Sequence, residues 1–352
     1  MPELRQDPVT LEWVIIATER AKRPSEFQSQ GGGTRQSCLL SQRQSCPFCE
    51  GNEGTTPPEI VAYRKAGTPP NTRGWWVRVV ANRFPALRIE GRRDRHEIDD
   101  FFRMMDGFGA HEVIIETPEH CDTIGIIPDR QAEEIINMYL DRFLDLKKDA
   151  RIENITLFRN RGNLAGASLL HPHSQLIGTP MVPGLLRRRL EMAFRHYDDH
   201  GKCVYCEMIE KELAERNRLV LENDEYVVFE PFASRVPFET WIVPREHCSA
   251  FEAISREQAK ALGRTLNAVL GILFNKLNDP DYNYVIRTEP LREDHSGYFH
   301  WSLHILPRLT TTAGFEMGSG MFINPMPPEK AAEFLRAPLE GAASPPPSSL
   351  NK

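Results

Sequence analysis

A chain of 352 residues with 40% apolar and 26% charged side chains is long enough for one large or two ordinary soluble domains. Its formal net charge of −6 removes any global electrostatic pull toward nucleic acid or anionic membrane. The charged start Met1–Asp7 has no apolar h-region, and no stretch approaches the ~20 apolar residues that span a bilayer, so a cytoplasmic protein is expected.

Taken in chain order, residues 28–44, rich in Gly, Ser and Gln, read as a flexible loop. They lead into the CxxC pair Cys46-Pro47-Phe48-Cys49. The β-branched runs Val77–Val80 and Val113–Glu116 read as strands, separated by an Arg- and Asp-rich insertion over 91–109. Asp129 is the expected N-cap of a helix over 131–146, which sets Ile135, Met138, Tyr139, Phe143 and Leu146 on one core-facing stripe. A small, polar loop over 160–168 then precedes the run His171-Pro172-His173-Ser174-Gln175, and its N–H groups could cradle a phosphate. Leu185 to His200 reads as an Arg-rich amphipathic helix, whose Arg187-Arg188-Arg189 is the expected solvated face. A second CxxC pair, Cys203-Val204-Tyr205-Cys206, follows, then a helix over 255–276 capped by Ser255, then His300-Trp301-Ser302-Leu303-His304. The Pro/Ser tail from Ala342 is expected to be disordered.

This order contains one unit twice. His120-Cys121 and His247-Cys248 lie 127 residues apart, and His171 and His300 lie 129 apart. Each unit reads as strand, strand, helix, strand, so the fold class is α+β, a tandem duplication of an antiparallel sheet with one long helix per copy. The expected domains are 1–184, a linker helix over 185–202, a second copy over 203–336 and a tail over 337–352.

Each copy supplies Cys, Cys, His and His in the same order: Cys46, Cys49, His120 and His171, then Cys203, Cys206, His247 and His300. Two thiolates and two imidazoles close a tetrahedral Zn²⁺ shell, leaving no water to activate, so two structural zinc ions per chain are expected. His111 competes with His120 for the first site, and the match to His247 favours His120. A redox role for the CxxC pairs leaves the paired histidines without a purpose. Cys38, Cys121 and Cys248 remain as single thiols, and the odd total of seven argues against a paired secreted scaffold.

On an extended strand, His171, His173 and Gln175 point to one side. With His171 tied to metal, His173 is held as a nucleophile toward phosphorus, and Gln175 can donate to the non-bridging oxygens. In the second copy the nucleophile position is Ser302, although the metal position His300 is kept. One active site per chain is therefore expected.

These motifs resemble the galactose-1-phosphate uridylyltransferase family of the histidine-triad superfamily, from Asp7 to about Arg336. The opening Asp7-Pro8-Val9-Thr10 with Arg20-Ala21-Lys22-Arg23-Pro24 is similar to that family's start. The resemblance implies that Arg20 and Arg23 meet the nucleotide's phosphates or ribose, and Asn82 its nucleoside. It also implies phosphate contacts from Asn160, Gly166, Ser168 and Gln175, and a nucleotidylated His173. In place of the His-x-His of the family's second-half iron site only His304 is present, and a second Cys2His2 set stands there, as in the subgroup that includes plant ADP-glucose phosphorylase. Glu316 matches the hexose-phosphate pocket, with Phe315 where the family has Tyr and no nearby Lys.

The expected reaction is a ping-pong exchange between a nucleotide sugar and a sugar 1-phosphate or phosphate, with UDP-glucose and a hexose 1-phosphate as substrates (galactose metabolism). An ADP-sugar phosphorylase is the alternative. A two-zinc nucleic-acid- or protein-binding module is disfavoured by the net charge and by the absence of stacking aromatics near the metal ligands. The resemblance also implies a homodimer, in which a neighbouring subunit completes the sugar pocket.

Overall fold

The computed structural model describes residues 1–18, 27 and 40–338. Arg20, Arg23, most of the 28–44 loop and the Pro/Ser tail lie outside the described residues. The strands are β1 (Glu3–Gln6), β2 (Trp13–Ile16), β3 (Glu59–Arg64), β4 (Trp75–Ala81), β5 (Arg95–Ile98), β6 (Phe102–Met105), β7 (Ala110–Ile115), β8 (Asn154–Arg161), β9 (His173–Thr179), β10 (Leu219–Glu222), β11 (Tyr226–Phe229), β12 (Thr240–Pro244), β13 (Tyr282–Arg287), β14 (Ser302–Pro307) and β15 (Phe322–Asn324). The helices are α1 (Leu40–Ser45), α2 (Asp129–Leu146), α3 (Gly184–His200), α4 (Val204–Glu215), α5 (Arg256–Lys276), α6 (Gly314–Ser319) and α7 (Pro328–Arg336). None of them is long and apolar enough to cross a membrane.

Ten strands form one antiparallel sheet in the order β10-β11-β12-β14-β13-β8-β9-β7-β4-β3. Read from either end, the order is the same pattern: three strands that precede a long helix, then the two that follow it. Each unit is thus three strands, helix, two strands, one more strand on each side of the helix than the sequence suggests. The missed strands lack a clean period. β3 is half-buried along most of its length and β10 is short and bulged. The two units join where β8 pairs with β13, with Phe158 opposite Val285.

Helices α2 and α5 cover one face of this sheet. The predicted stripe Ile135, Met138, Tyr139, Phe143 and Leu146 is buried there, with Leu262, Leu266, Leu270 and Leu273 from α5. The helices cross closely because Gly263 has no side chain: a Cβ would lie 2.7 Å from the Glu133 Cα. Ser255 caps α5, accepting from the Gln258 N–H at 3.1 Å. Asp129 does not cap α2, because the fixed backbone of Pro128 starts the helix one residue earlier and puts Asp129 in its first turn. Its carboxylate instead accepts from Asn267 at 2.8 Å.

The 91–109 insertion is a separate exposed hairpin, β5–β6. The linker helix α3 packs Leu190 and Ala193 against Trp241 and Val243, on the sheet face opposite the long helices. Arg187 and Arg188 are exposed, but Arg189 is buried, so the Arg run is not one solvated face. Cys121 is disulfide-bonded rather than a single thiol, whereas Cys248 is free.

Candidate active site and metal centres

Among the described residues two groups could hold a metal ion: Cys46, Cys49, His120 and His171, and Cys203, Cys206, His247 and His300. In each, the four ligand atoms lie within 4.8 Å of one another. Cys49 Sγ is 3.2 Å from His120 Nδ1 and 3.5 Å from His171 Nδ1, and Cys206 Sγ is 3.1 Å from His247 Nδ1. A tetrahedral shell with ordinary Zn–S and Zn–N bonds spaces neighbouring ligands by about 3.5 Å, so the donor atoms fit.

The far ring nitrogens fix the tautomers. His171 Nε2 donates to the Thr117 carbonyl at 2.8 Å, and His300 Nε2 donates to the Pro244 carbonyl at 3.1 Å. His247 Nε2 donates to the Ser296 carbonyl at 2.6 Å. Three of the four Nδ1 atoms therefore present a lone pair inward, the outer-shell arrangement of metal-bound histidine. Burial holds His171 down to about 3, keeping it a neutral ligand.

His173 opens β9, two residues after His171, as Ser302 opens β14 two residues after His300. Its Nδ1 donates to the His171 carbonyl at 2.8 Å, which leaves the Nε2 lone pair free. Burial keeps the imidazole below its ordinary pKa, hence neutral. Phe48, between the two cysteines of the first metal loop, packs its ring against His173 with centroids 5.3 Å apart. The metal loop thus touches the histidine as well as its strand.

Behind β9, on the helix side, Ser174 donates to Glu116 at 2.5 Å, and Tyr139 bridges Glu116 and Tyr284. Buried Arg159 completes the network with an ion pair to Glu116 at 2.9 Å. Clamped from both sides, the strand has little freedom to shift.

A cavity of about 320 Å³ lies in front of His173, lined also by Phe48, Asn82, Arg83, Ser168 and Gln175. A smaller one reaches His173 past Asn160, Arg161 and Gly162. The side-chain amide of Gln175 has a set direction. The Ala86 N–H donates to His111 Nδ1 at 3.0 Å, so the His111 proton sits on Nε2 and is donated to Gln175 Oε1 at 2.9 Å. Asn82 adds a second donor to Oε1 at 3.2 Å. With its oxygen occupied, Gln175 presents its NH₂. His111 is therefore no metal ligand but the holder of this amide, a role that spacing gives no hint of.

The 160–168 loop is tied down from the second unit. Asn283 on β13 donates to Asn160 Oδ1 at 2.7 Å and to the Ala165 carbonyl at 2.9 Å. Asp281 accepts from the Leu164 N–H at 2.8 Å and lies so close to Gly162 that a Cβ there would overlap its carboxylate. The N–H groups of Ala165, Gly166 and Ala167 bond within the turn, so they cannot cradle an anion. Small residues wind the segment into a 3₁₀ turn instead. Gly166 serves as its left-handed end, and Asn160 and Ser168 are left as the loop's polar groups beside His173.

Glu316 stands apart. It lies on α6, accepts from the Ala313 N–H at 3.0 Å, and lines neither cavity beside His173. In the second unit, His304 Nδ1 accepts from Arg287 at 3.3 Å and its Nε2 donates to Ser302 Oγ at 2.8 Å. A histidine that donates to the hydroxyl cannot draw its proton, so this pair is not an activated serine.

The model of the galactose-1-phosphate uridyl transferase N-terminal domain matches residues 1–183, and a model described as a domain of unknown function matches 99–342. An ADP-glucose phosphorylase of Arabidopsis thaliana is 38% identical over 339 residues, covering 95% of this chain and 92% of that protein. A galactose-1-phosphate uridylyltransferase of Thermotoga maritima is 30% identical over 348 residues, covering 96% and 98%. Among solved structures, an Arabidopsis ADP-glucose phosphorylase with bound ADP-glucose superposes with a TM-score of 0.79 at 34% identity, over 96% of this chain and 99% of that one.

Proposed function

The chain belongs to the galactose-1-phosphate uridylyltransferase family, and from that premise we propose that it is a nucleotidyltransferase acting through a covalent nucleotidyl-His173. The observation that carries this reading is His173 itself: a neutral imidazole at a cavity wall, its Nδ1–H committed to the His171 carbonyl and its Nε2 lone pair free.

In the first displacement, Nε2 forms a bond to the donor's α-phosphorus, and the bond to the bridging oxygen breaks. The sugar 1-phosphate leaves with that electron pair. In the second, an oxygen of the acceptor phosphate attacks the same phosphorus, and the N–P bond breaks to restore the lone pair. The Nδ1–H stays in place throughout and spreads the positive charge of the intermediate onto a carbonyl. Gln175 donates to a non-bridging oxygen, and Asn160 and Ser168 flank the phosphates, so the chain supplies positioning and neutral donors. Asn82 reaches the nucleoside, and Arg20 and Arg23 the phosphates or ribose. Cys46, Cys49, His120 and His171, and Cys203, Cys206, His247 and His300, would each hold a structural Zn²⁺ that ties their loops together, and with four protein ligands it would offer no water for hydrolysis.

ADP-glucose is the favoured donor, with phosphate as acceptor, because identity is 38% to the phosphorylase against 30% to the uridylyltransferase. The second reading, UDP-glucose with a hexose 1-phosphate, rests on Glu316. Lying away from the cavities of its own chain, Glu316 would serve the site of a neighbouring copy in a homodimer. Incubation with ADP-glucose and UDP-glucose labelled in the α-phosphate, followed by a base quench, should leave an acid-labile phosphoramidate from one of them. Label from neither donor would sink the reading, and the better donor names the base.

The orientation of Gln175 is testable with that donor. His111→Phe should lower kcat by about ten- to a hundredfold with KM within a few-fold, because a misdirected amide weakens transition-state contact more than binding. Steady-state kinetics that show a raised KM at unchanged kcat would contradict it.

A further inference from the structure

The second unit gathers a cluster of cations that the chemistry at His173 does not use, one of them buried and two partly exposed. Arg189, on the inner side of α3, is 1% exposed, and its Nε and Nη1 meet no hydrogen-bond partner. Arg287 pairs with Ser302 across β13–β14 and donates to His304. Arg235 lies in the turn before β12, whose Trp241 stacks on the His304 ring with centroids 3.9 Å apart. Arg287 bonds His304 directly, and the charges of Arg189 and Arg235 act on the same ring. Burial first, and then Arg287, Arg189 and Arg235, hold its imidazole well below its ordinary pKa. Arg189 and Arg235 likewise lower Arg287, after burial.

The charges are only partly balanced: burial opposes the charge on Arg235, but Glu239, Asp7 and Glu12 more than offset it, whereas Arg189 makes no ion pair among the described residues. Among the described residues the single ion pair that the three arginines make is Arg235–Glu239 at 3.5 Å. That carboxylate also accepts the Arg235 N–H at 2.7 Å and the Trp241 indole at 3.0 Å. Buried Glu230 does not help, since burial pushes its carboxyl well up, toward the neutral form. A guanidinium with two bare nitrogens and no carboxylate is costly in a low-dielectric interior. Three guanidiniums around one point are also the donor set that a tetrahedral oxyanion satisfies.

We infer that the second unit binds a small inorganic oxyanion of the phosphate class on Arg189, Arg235 and Arg287, beside His304. The buried position of Arg189 and His304 suits an anion of few atoms rather than a sugar phosphate. Arg287 and Arg235 are partly exposed and give it a way in. The anion would tie the linker helix to β13 and β14, in the unit whose nucleophile position is Ser302.

The test is equilibrium dialysis of the full-length, zinc-loaded protein against labelled inorganic phosphate, with saturating AMP and UMP occupying the His173 cavity. One nucleotide-resistant phosphate per chain is expected. Arg189→Met and Arg287→Met should each weaken it at least tenfold while leaving His173 labelling unchanged. Arg287 is partly exposed, so its variant should fold even if Arg189→Met does not. Sulfate should compete and glucose 1-phosphate should not; competition by the sugar ester would overturn the small-anion assignment. Absence of nucleotide-resistant phosphate, or wild-type binding by both variants, would overturn the site. Failure of His173 to take label bears only on the proposed reaction, since phosphate uptake is read separately.

Discussion

His173→Gly protein should take no label from the α-phosphate of either nucleotide sugar, and turnover should fall by at least about 10⁴. Nothing else at the cavity can replace it. Gln175 is neutral and its oxygen already accepts from His111 and Asn82, and among the described residues lining the cavity His173 is the one imidazole, with no carboxylate or thiol to activate Ser168 in its place. The chain should remain folded with both metals bound, because the His173 side chain packs on Phe48 but supplies no metal ligand. Metal analysis makes this a sharp test. A His173→Gly protein that loses one zinc would show that the ligand set is misassigned and that His173 is structural.

The second large effect concerns the two metal groups, which should differ in what they cost. Cys203→Ser should remove one zinc and several kcal/mol of stability, a drop in melting temperature on the order of 10 °C. The rate of His173 labelling per folded molecule should stay within about twofold. Cys46→Ser should cost similar stability but also cut labelling by about a hundredfold, because its metal clamps His171 and the neighbouring Phe48 packs on His173. Thermal melts and zinc counts on the two variants, with labelling rates at a temperature where both are folded, distinguish them. Equal loss of labelling in both would mean that the second unit is coupled to the chemistry through the shared sheet.

Much of this site is legible in the sequence because its constraints are local. A CxxC pair that recurs after 157 residues, histidines that recur after 127 and 129, and one strand with alternating His and Gln need no knowledge of the fold. The palindromic strand order is not legible, because a repeat does not reveal that its equivalent strands, β8 and β13, pair with each other. That the Ala165, Gly166 and Ala167 N–H groups are spent inside the turn of the 160–168 loop is not legible either. Asp281 and Asn283, over a hundred residues away, decide how that loop winds. In the sequence His111 is only the weaker rival of His120 for the metal, and its own role is not seen until Ala86 fixes its tautomer. Arg189 hides within a charged run, since only the register of α3 against the sheet separates it from Arg187 and Arg188.

The seam between β8 and β13 has a consequence for how such a chain could arise and be divided. Each five-strand half ends there in a row of backbone donors and acceptors that only the other half satisfies. Expressed alone, either half would offer an open edge to its own kind and associate as a symmetric pair. The present chain is such a pair made covalent by the linker helix. In such a fusion one member can carry Ser302 at the position of His173 while its Asp281 and Asn283 still hold the loop beside the other's cavity.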